Sequence, residues 1–264
     1  MTVPPVLLLF ESGAISGPYS WTWVERRLPN DVAVVNRDRG APSLFDAAYR
    51  RMDYRSVLER LRPHLLDGVP VVAIGHSIGG LLVRAHANAL GSRVVGMVLV
   101  DPSPPSQFAP GVDQDFQYLR LNQSLAVRTV RAVFGQAPTA AETADFSNLS
   151  AAARTRAVEM MTPPRYWMNA YRESRSAGSQ WLGSALFPDV EQRPVAVVSS
   201  DVSAHEHSLQ NTFEERILHG SSKSQRFRVE GASHATVLFD EQYSRAVNEA
   251  IDWVLTQVVE RRIA

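Results

Sequence analysis

The sequence predicts an α/β fold in which a mostly parallel sheet of about six strands is flanked by helices. Three observations predict it. Short runs rich in Val, Leu and Ile alternate with helical stretches through the first hundred residues, the arrangement that right-handed βαβ crossovers require. One of those runs turns through Gly75-His76-Ser77-Ile78-Gly79 directly into a helix. The strand pattern lapses from about residue 107 and returns at Pro194, so a helical insertion interrupts an otherwise regular chain.

At 264 residues the chain has the size of one α/β domain with a modest insertion. Lys plus Arg and Asp plus Glu both number 27, so neither nucleic acid nor an anionic membrane is expected as a partner. There is no cysteine, which excludes disulfides, a thiol nucleophile and zinc–thiolate sites. The early apolar run Val6–Phe10 is far too short to span a bilayer and lacks the flanks of a signal peptide. A cytoplasmic location is expected on that ground.

In chain order, Val6–Phe10 is the first strand and ends in Glu11-Ser12-Gly13-Ala14-Ile15-Ser16-Gly17. Trp21–Val24 opens a helix that Pro29-Asn30 closes, and Val32–Asn36 is the second strand. Asp53–Leu66 carries Val57, Leu58, Leu61 and Leu65 on one helical face. Val71–Ile74 is a buried strand entered through Pro70, and the apolar spacing turns helical from Leu81. Val94–Val100 is a further strand, capped by Asp101-Pro102-Ser103. The insertion reads as helices over Gln114–Val133, Ala151–Met161 and Arg165–Ser176, divided by Pro138 and Pro163-Pro164. Strand returns at Pro194–Ser199, followed by a polar helix over Ser208–His219 and a last strand at Arg226–Glu230. Glu241–Val259 closes the chain as an amphipathic helix with Val247, Ile251, Val254 and Val258 inward.

Chemistry concentrates at Ser77. A strand turning this sharply into a helix forces its turn residue into a strained backbone, and Gly75 and Gly79 leave room for the close helix–strand approach. Ser77 Oγ would then stand above the sheet edge at the positive end of the helix. The plainer alternative is a serine that only caps the helix.

In this strand–turn–helix the chain resembles the α/β-hydrolase superfamily, in its serine-nucleophile branch, and the resemblance covers all but the insertion. It implies an α/β-hydrolase core over residues 1–106 and 194–264, with a helical cap over 107–193. The turn after the first strand reads Glu-Ser-Gly where His-Gly is common, and by that match the oxyanion donors are the N–H groups of Ala14 and Ile78. Arg37–Ser43 is similar to the family's D-R-x-G-x-G-x-S loop, with Asp38 as a turn-stabilising carboxylate.

A serine hydroxyl needs a base near neutral pH, and the base needs an orienting carboxylate. The resemblance puts the base at His234, in a Gly-x-Ser-His loop after the final strand. Two aspartates compete as the acid. The Gly-x-x-Asp turn that usually supplies it reads Ser200-Asp201-Val202-Ser203 here, with the aspartate two residues early and no glycine. Asp101, in Val-Asp-Pro at the preceding strand tip, occupies the position used by pancreatic-type lipases and is favoured; Asp201 is the alternative. His76 is expected to be structural, while His64, His86 and His219 on helices and His205 and His207 in a polar loop are expected to be solvated or capping.

The resemblance thus implies a serine hydrolase acting through an acyl-enzyme on a small-to-medium apolar ester, thioester or lactone, with no cofactor and no metal. Most aromatic and Met residues of the cap, such as Trp167, Met168 and Trp181, are expected to pack against the core, and three or four of the set to line the pocket. The same fold also hosts biosynthetic thioesterases and acyltransferases, cofactor-free lyases and cyclases, and ligand-binding proteins.

Overall fold

A computed structural model describes residues 6–30, 32–36, 38, 58–59, 61–104, 114–176, 193–201 and 209–263. Six strands, β1 (Leu7–Glu11), β2 (Ala33–Asn36), β3 (Val71–His76), β4 (Val94–Val100), β5 (Pro194–Ser200) and β6 (Lys223–Val229), form one sheet in the order β2-β1-β3-β4-β5-β6. Every neighbouring pair is parallel. Strand order reverses between β1 and β3, which leaves a crevice at their carboxyl ends, where open α/β sheets place ligands.

The central strands are buried along their whole length because both faces are covered. Leu8, Phe10, Val72, Ile74, Val98, Val100, Ala196 and Val198 face one apolar cluster, and the alternate residues Leu7, Leu9, Val71, Ala73, Met97, Leu99, Val195 and Val197 face the other. Each Val, Leu, Ile, Phe or Met among them contributes roughly 1.5–3 kcal/mol on burial, so a one-residue slip in register would be prohibitive.

On the first face lie α1 (Thr22–Glu25), α7 (Thr236–Phe239) and the closing helix α8 (Arg245–Ile263), whose Val247, Ala250, Ile251, Val254 and Val258 enter the core. The second face is covered by α2 (Ile78–Leu90), through Val83 and Ala87, with Leu58, Leu61 and Leu65 and with Ile217 of α6 (Leu209–His219). Between β4 and β5 the chain forms α3 (Gln114–Val133), α4 (Ala151–Met161) and α5 (Pro164–Ser176), and no strand among the described residues. Leu125, Ala157, Met161, Trp167 and Ala170 of these helices join the same cluster as Tyr19, Trp21 and Trp23.

The expected elements lie within a few residues of their observed bounds wherever they are described. Most of the Asp53–Leu66 helix, the Arg37–Ser43 loop apart from Asp38, and Trp181, His205 and His207 lie outside the described residues. Among the described residues no helix is long and apolar enough to cross a membrane.

Candidate active site

The end of β3 passes into α2 through one residue, Ser77, with φ 57° and ψ −126°. Ser77 and Asp101, with φ 44°, are the non-glycine residues of positive φ among those described, and both stand at strand tips on the same edge of the sheet. Positive φ of this kind costs on the order of 1–3 kcal/mol and persists only where surrounding contacts enforce it.

The enforcement at Ser77 is visible in its glycines. A Cβ on Gly75 would lie 2.4 Å from the Gly79 carbonyl oxygen, and one on Gly79 would lie 2.1 Å from that of Glu11. Both positions therefore exclude any side chain, and α2 can press against the ends of β3 and β1. The Ser77 N–H donates to Val100 O at 3.1 Å, and its carbonyl accepts from Gly80 and Ser103. Ser77 Oγ has Ser103 Oγ as a hydrogen-bond partner at 3.2 Å. No sequence signal pointed to Ser103; it follows Asp101-Pro102 and reaches the serine because that loop folds back across the Ser77 turn.

Asp101 leaves β4 with its N–H on Val198 O at 2.7 Å and its side chain almost fully buried. Oδ1 accepts from the Ser200 N–H at 2.9 Å, and Oδ2 lies 2.6 Å from His234 Nδ1. A carboxylate on Nδ1 fixes the imidazole with its proton there and leaves Nε2 as an acceptor. His234 itself is half exposed, 47% at its side chain. Its loop is held by a reciprocal pair of bonds, in which Ser233 N–H donates to Thr236 Oγ1 and Thr236 N–H to Ser233 Oγ.

Asp201 points elsewhere. Its N–H donates to Ala232 O at 3.2 Å, and its carboxylate accepts a short hydrogen bond from the Gly231 N–H. It therefore braces the start of the His234 loop, while Asp101 holds the imidazole.

His76 is buried beside His234, with ring centroids 4.7 Å apart. Its Nε2 lies 2.8 Å from the His234 carbonyl oxygen, so Nε2 carries the proton and donates. Burial first, and then the charge of a protonated His234, push its pKa down to about 3, so it is neutral at any working pH. His86 departs from the expectation of a solvated or capping side chain. It is fully buried, with Nε2 2.8 Å from Glu11 Oε1, because the α2 face that carries it packs on the end of β1. His64 and His219 are exposed, as expected for helix-surface positions.

The Glu11–Gly17 turn is stapled by its own polar groups. Ser12 Oγ donates to Gly17 O at 3.1 Å and accepts from Trp21 Nε1 at 3.0 Å, and Ser20 Oγ donates to Gly17 O at 2.7 Å. A Cβ on Gly13 would stand 3.4 Å from Ser77 Cβ, so this turn abuts the serine. Ala14 follows Gly13, and Ile78 is the first residue of α2, where an N–H has no intrahelical acceptor. Among the described residues no cluster of His, Asp and Glu could hold a metal ion.

The fold recurs in solved structures of low sequence identity. MenH from S. aureus matches with a TM-score of 0.64 at 12% identity, covering 97% of this chain and 96% of that one. The peroxisomal alpha-beta-hydrolase Lpx1 from Saccharomyces cerevisiae matches with a TM-score of 0.63 at 16% identity, covering 97% and 79%. A thermophilic esterase from Thermogutta terrifontis matches with a TM-score of 0.57 at 19% identity, covering 97% and 92%. No curated protein matches the sequence. A family model described as the alpha/beta hydrolase family matches residues 6–250, nearly the whole chain with its strained serine and the loop of His234, and the protein belongs to that family.

Proposed function

We propose that the protein is a serine hydrolase that cleaves a small-to-medium apolar ester, thioester or lactone through an acyl-enzyme at Ser77. The observation that carries this reading is the strained Ser77 turn on the same sheet edge as the Asp101–His234 pair at 2.6 Å. In this reading Asp101 is the acid of a Ser77-His234-Asp101 triad, and Asp201 is a loop brace.

His234 Nε2 takes the Ser77 proton as Oγ bonds to the substrate carbonyl carbon, and the carbonyl electron pair moves onto oxygen. The amides of Ala14 and Ile78 receive that oxyanion. When the intermediate collapses, the leaving alcohol or thiol takes the proton from His234. Water then repeats the sequence on the acyl-enzyme and releases the acid. Asp101 holds the imidazole in the required tautomer and stabilises the imidazolium while it lasts.

The helices between β4 and β5 act as a cap over this edge, and residues 107–193 form that unit. The support is that Tyr166 of α5 reaches the Gly13–Ser16 turn and that Trp167 and Ala170 pack into the cluster of the core.

An alkyl fluorophosphonate tests the reading directly. It should label the wild-type protein at Ser77 and leave Ser77→Ala unlabelled, and an ester, thioester and lactone panel on the labelled-competent enzyme then ranks the substrates. Absence of labelling at Ser77 would overturn the proposal.

A further inference from the structure

Tyr166 belongs to α5, inside the insertion, yet its hydroxyl donates to the Ile15 carbonyl oxygen at 2.6 Å. Ile15 lies in the turn that Ser16 N–H closes onto Gly13 O at 3.3 Å. One end of that turn abuts Ser77 Cβ through Gly13. The residue between the abutting glycine and the anchored carbonyl is Ala14. A bond from the insertion is therefore made one residue from the proposed oxyanion donor.

The surroundings fix that bond. Tyr19 Oη lies 3.3 Å from Tyr166 Oη and 3.5 Å from Ile15 O. Because the Tyr166 proton is directed at Ile15, the proton between the two phenols comes from Tyr19. Burial raises both phenol pKa values, and the nearby Asp38 charge adds to the effect, so both hydroxyls stay protonated as donors. Met160, near the end of α4, closes the far side of the turn, since a Cβ on Gly17 would lie 2.7 Å from its Cε. The Ser12, Ser20 and Trp21 bonds hold the two ends of the turn to the core, whereas Tyr166 grips its middle from the insertion.

We propose that Tyr166 is a positioning residue that aims the Ala14 amide at the oxyanion, so that the helical insertion completes the oxyanion hole of the core. This rests on the acyl-enzyme reading of Ser77. Oxyanion donors act by being in place before charge develops, and losing one outright lowers kcat by about 10²–10³. A donor left present but unanchored loses a part of that, on the order of 10-fold.

The test is Tyr166→Phe, which removes one oxygen and keeps the packed ring. The expected result is a kcat lower by about 10-fold with KM changed less than about twofold. Affinity for a trifluoromethyl ketone analogue of the best ester should fall by the same factor as kcat/KM, because only that ligand presents an oxyanion. Amide hydrogen exchange over residues 14–16 should accelerate in the variant, a readout independent of activity. Faster exchange with unchanged kcat and unchanged ketone affinity would show a merely structural contact and overturn the proposal. Unchanged exchange would overturn it too. Fluorophosphonate labelling of wild-type Ser77 separates the two claims: labelling with a kinetically silent Tyr166→Phe defeats the positioning role alone, and no labelling defeats the acyl-enzyme reading and this proposal together.

Discussion

Glu11 Oε1 and His86 Nε2 meet at 2.8 Å in the seam between the end of β1 and α2, with both side chains essentially withdrawn from water. They join the strand that leads into the Glu11–Gly17 turn to the helix that follows Ser77. Truncating a fully buried side chain that carries such a bond costs about 2–5 kcal/mol. We therefore expect His86→Ala to lower unfolding stability in urea by that amount, and Glu11→Gln, which keeps an acceptor oxygen, to lower it by much less. Because Glu11→Gln keeps the packed shape, an equal loss in that variant would assign the effect to the carboxylate charge.

At the proposed nucleophile, Ser77→Ala should lower kcat on the best ester by on the order of 10⁶ if the triad acts as a unit. Steady-state kinetics on protein purified free of host esterases gives the answer, and retention of most activity would exclude Ser77.

The two aspartates should separate cleanly. Asp101→Asn leaves the His234 tautomer unfixed and should lower kcat by about 10⁴ with little change in KM. Asp201→Asn retains an oxygen for the Gly231 N–H and should remain active, with a stability loss of no more than about 1 kcal/mol. A dead Asp201→Asn beside an active Asp101→Asn would reverse the assignment of the acid.

Ser103 should matter through Ser77 Oγ, its partner at 3.2 Å. If Ser103 donates to Oγ, the Ser77 proton is left for His234. Ser103→Ala then costs one hydrogen bond of about 1 kcal/mol, a roughly five-fold loss in kcat. Ser103→Thr, which keeps the hydroxyl, should recover most of it, and a harmless Ser103→Ala would leave Ser103 with no part in orienting the serine.

Glu214 of α6 gives a pH signature in stability. It is fully buried, accepts a hydrogen bond from Ser199 Oγ at 2.6 Å, and lies 3.5 Å from one Arg226 nitrogen. Burial raises its pKa from 4.5 to about 8, with Asp101 and Glu215 adding to the rise while Ser199 and Arg226 oppose it. The folded state thus holds a proton that the unfolded chain releases near its ordinary pKa. Its stabilisation is complete below about pH 4.5, fades as pH rises, and is lost above about pH 8. Denaturation midpoints measured across that window should fall with pH, and Glu214→Gln should flatten the decline. A wild-type profile rising through the same window would contradict the assignment.

The strands, the helices of the insertion and the serine turn were legible because each is written in contiguous sequence. β4 is a continuous apolar run because both its faces are buried, α3 carries the helical periodicity of its burial, and Ser77 lies between two glycines that only a tight strand-to-helix turn requires. His86 was misread for the opposite reason. On its own helix it looks like a surface histidine, and the carboxylate that buries it comes from a strand 75 residues earlier. Ser103, Tyr166 and Glu214 share that handicap, since each acquires its partner through tertiary packing. Between Asp101 and Asp201, the absent Gly-x-x-Asp turn favours Asp101, but the contact with the His234 imidazole itself is made only by tertiary packing.

The backbone at Ser77 has a consequence for how this protein can change. At φ 57° a glycine would sit without strain, so Ser77→Gly should fold as well as the native chain or better. Screening variants for heat resistance alone would therefore favour a chain that has discarded its hydroxyl. On the acyl-enzyme reading of Ser77, only a selection that also demands turnover would keep a serine at that bend.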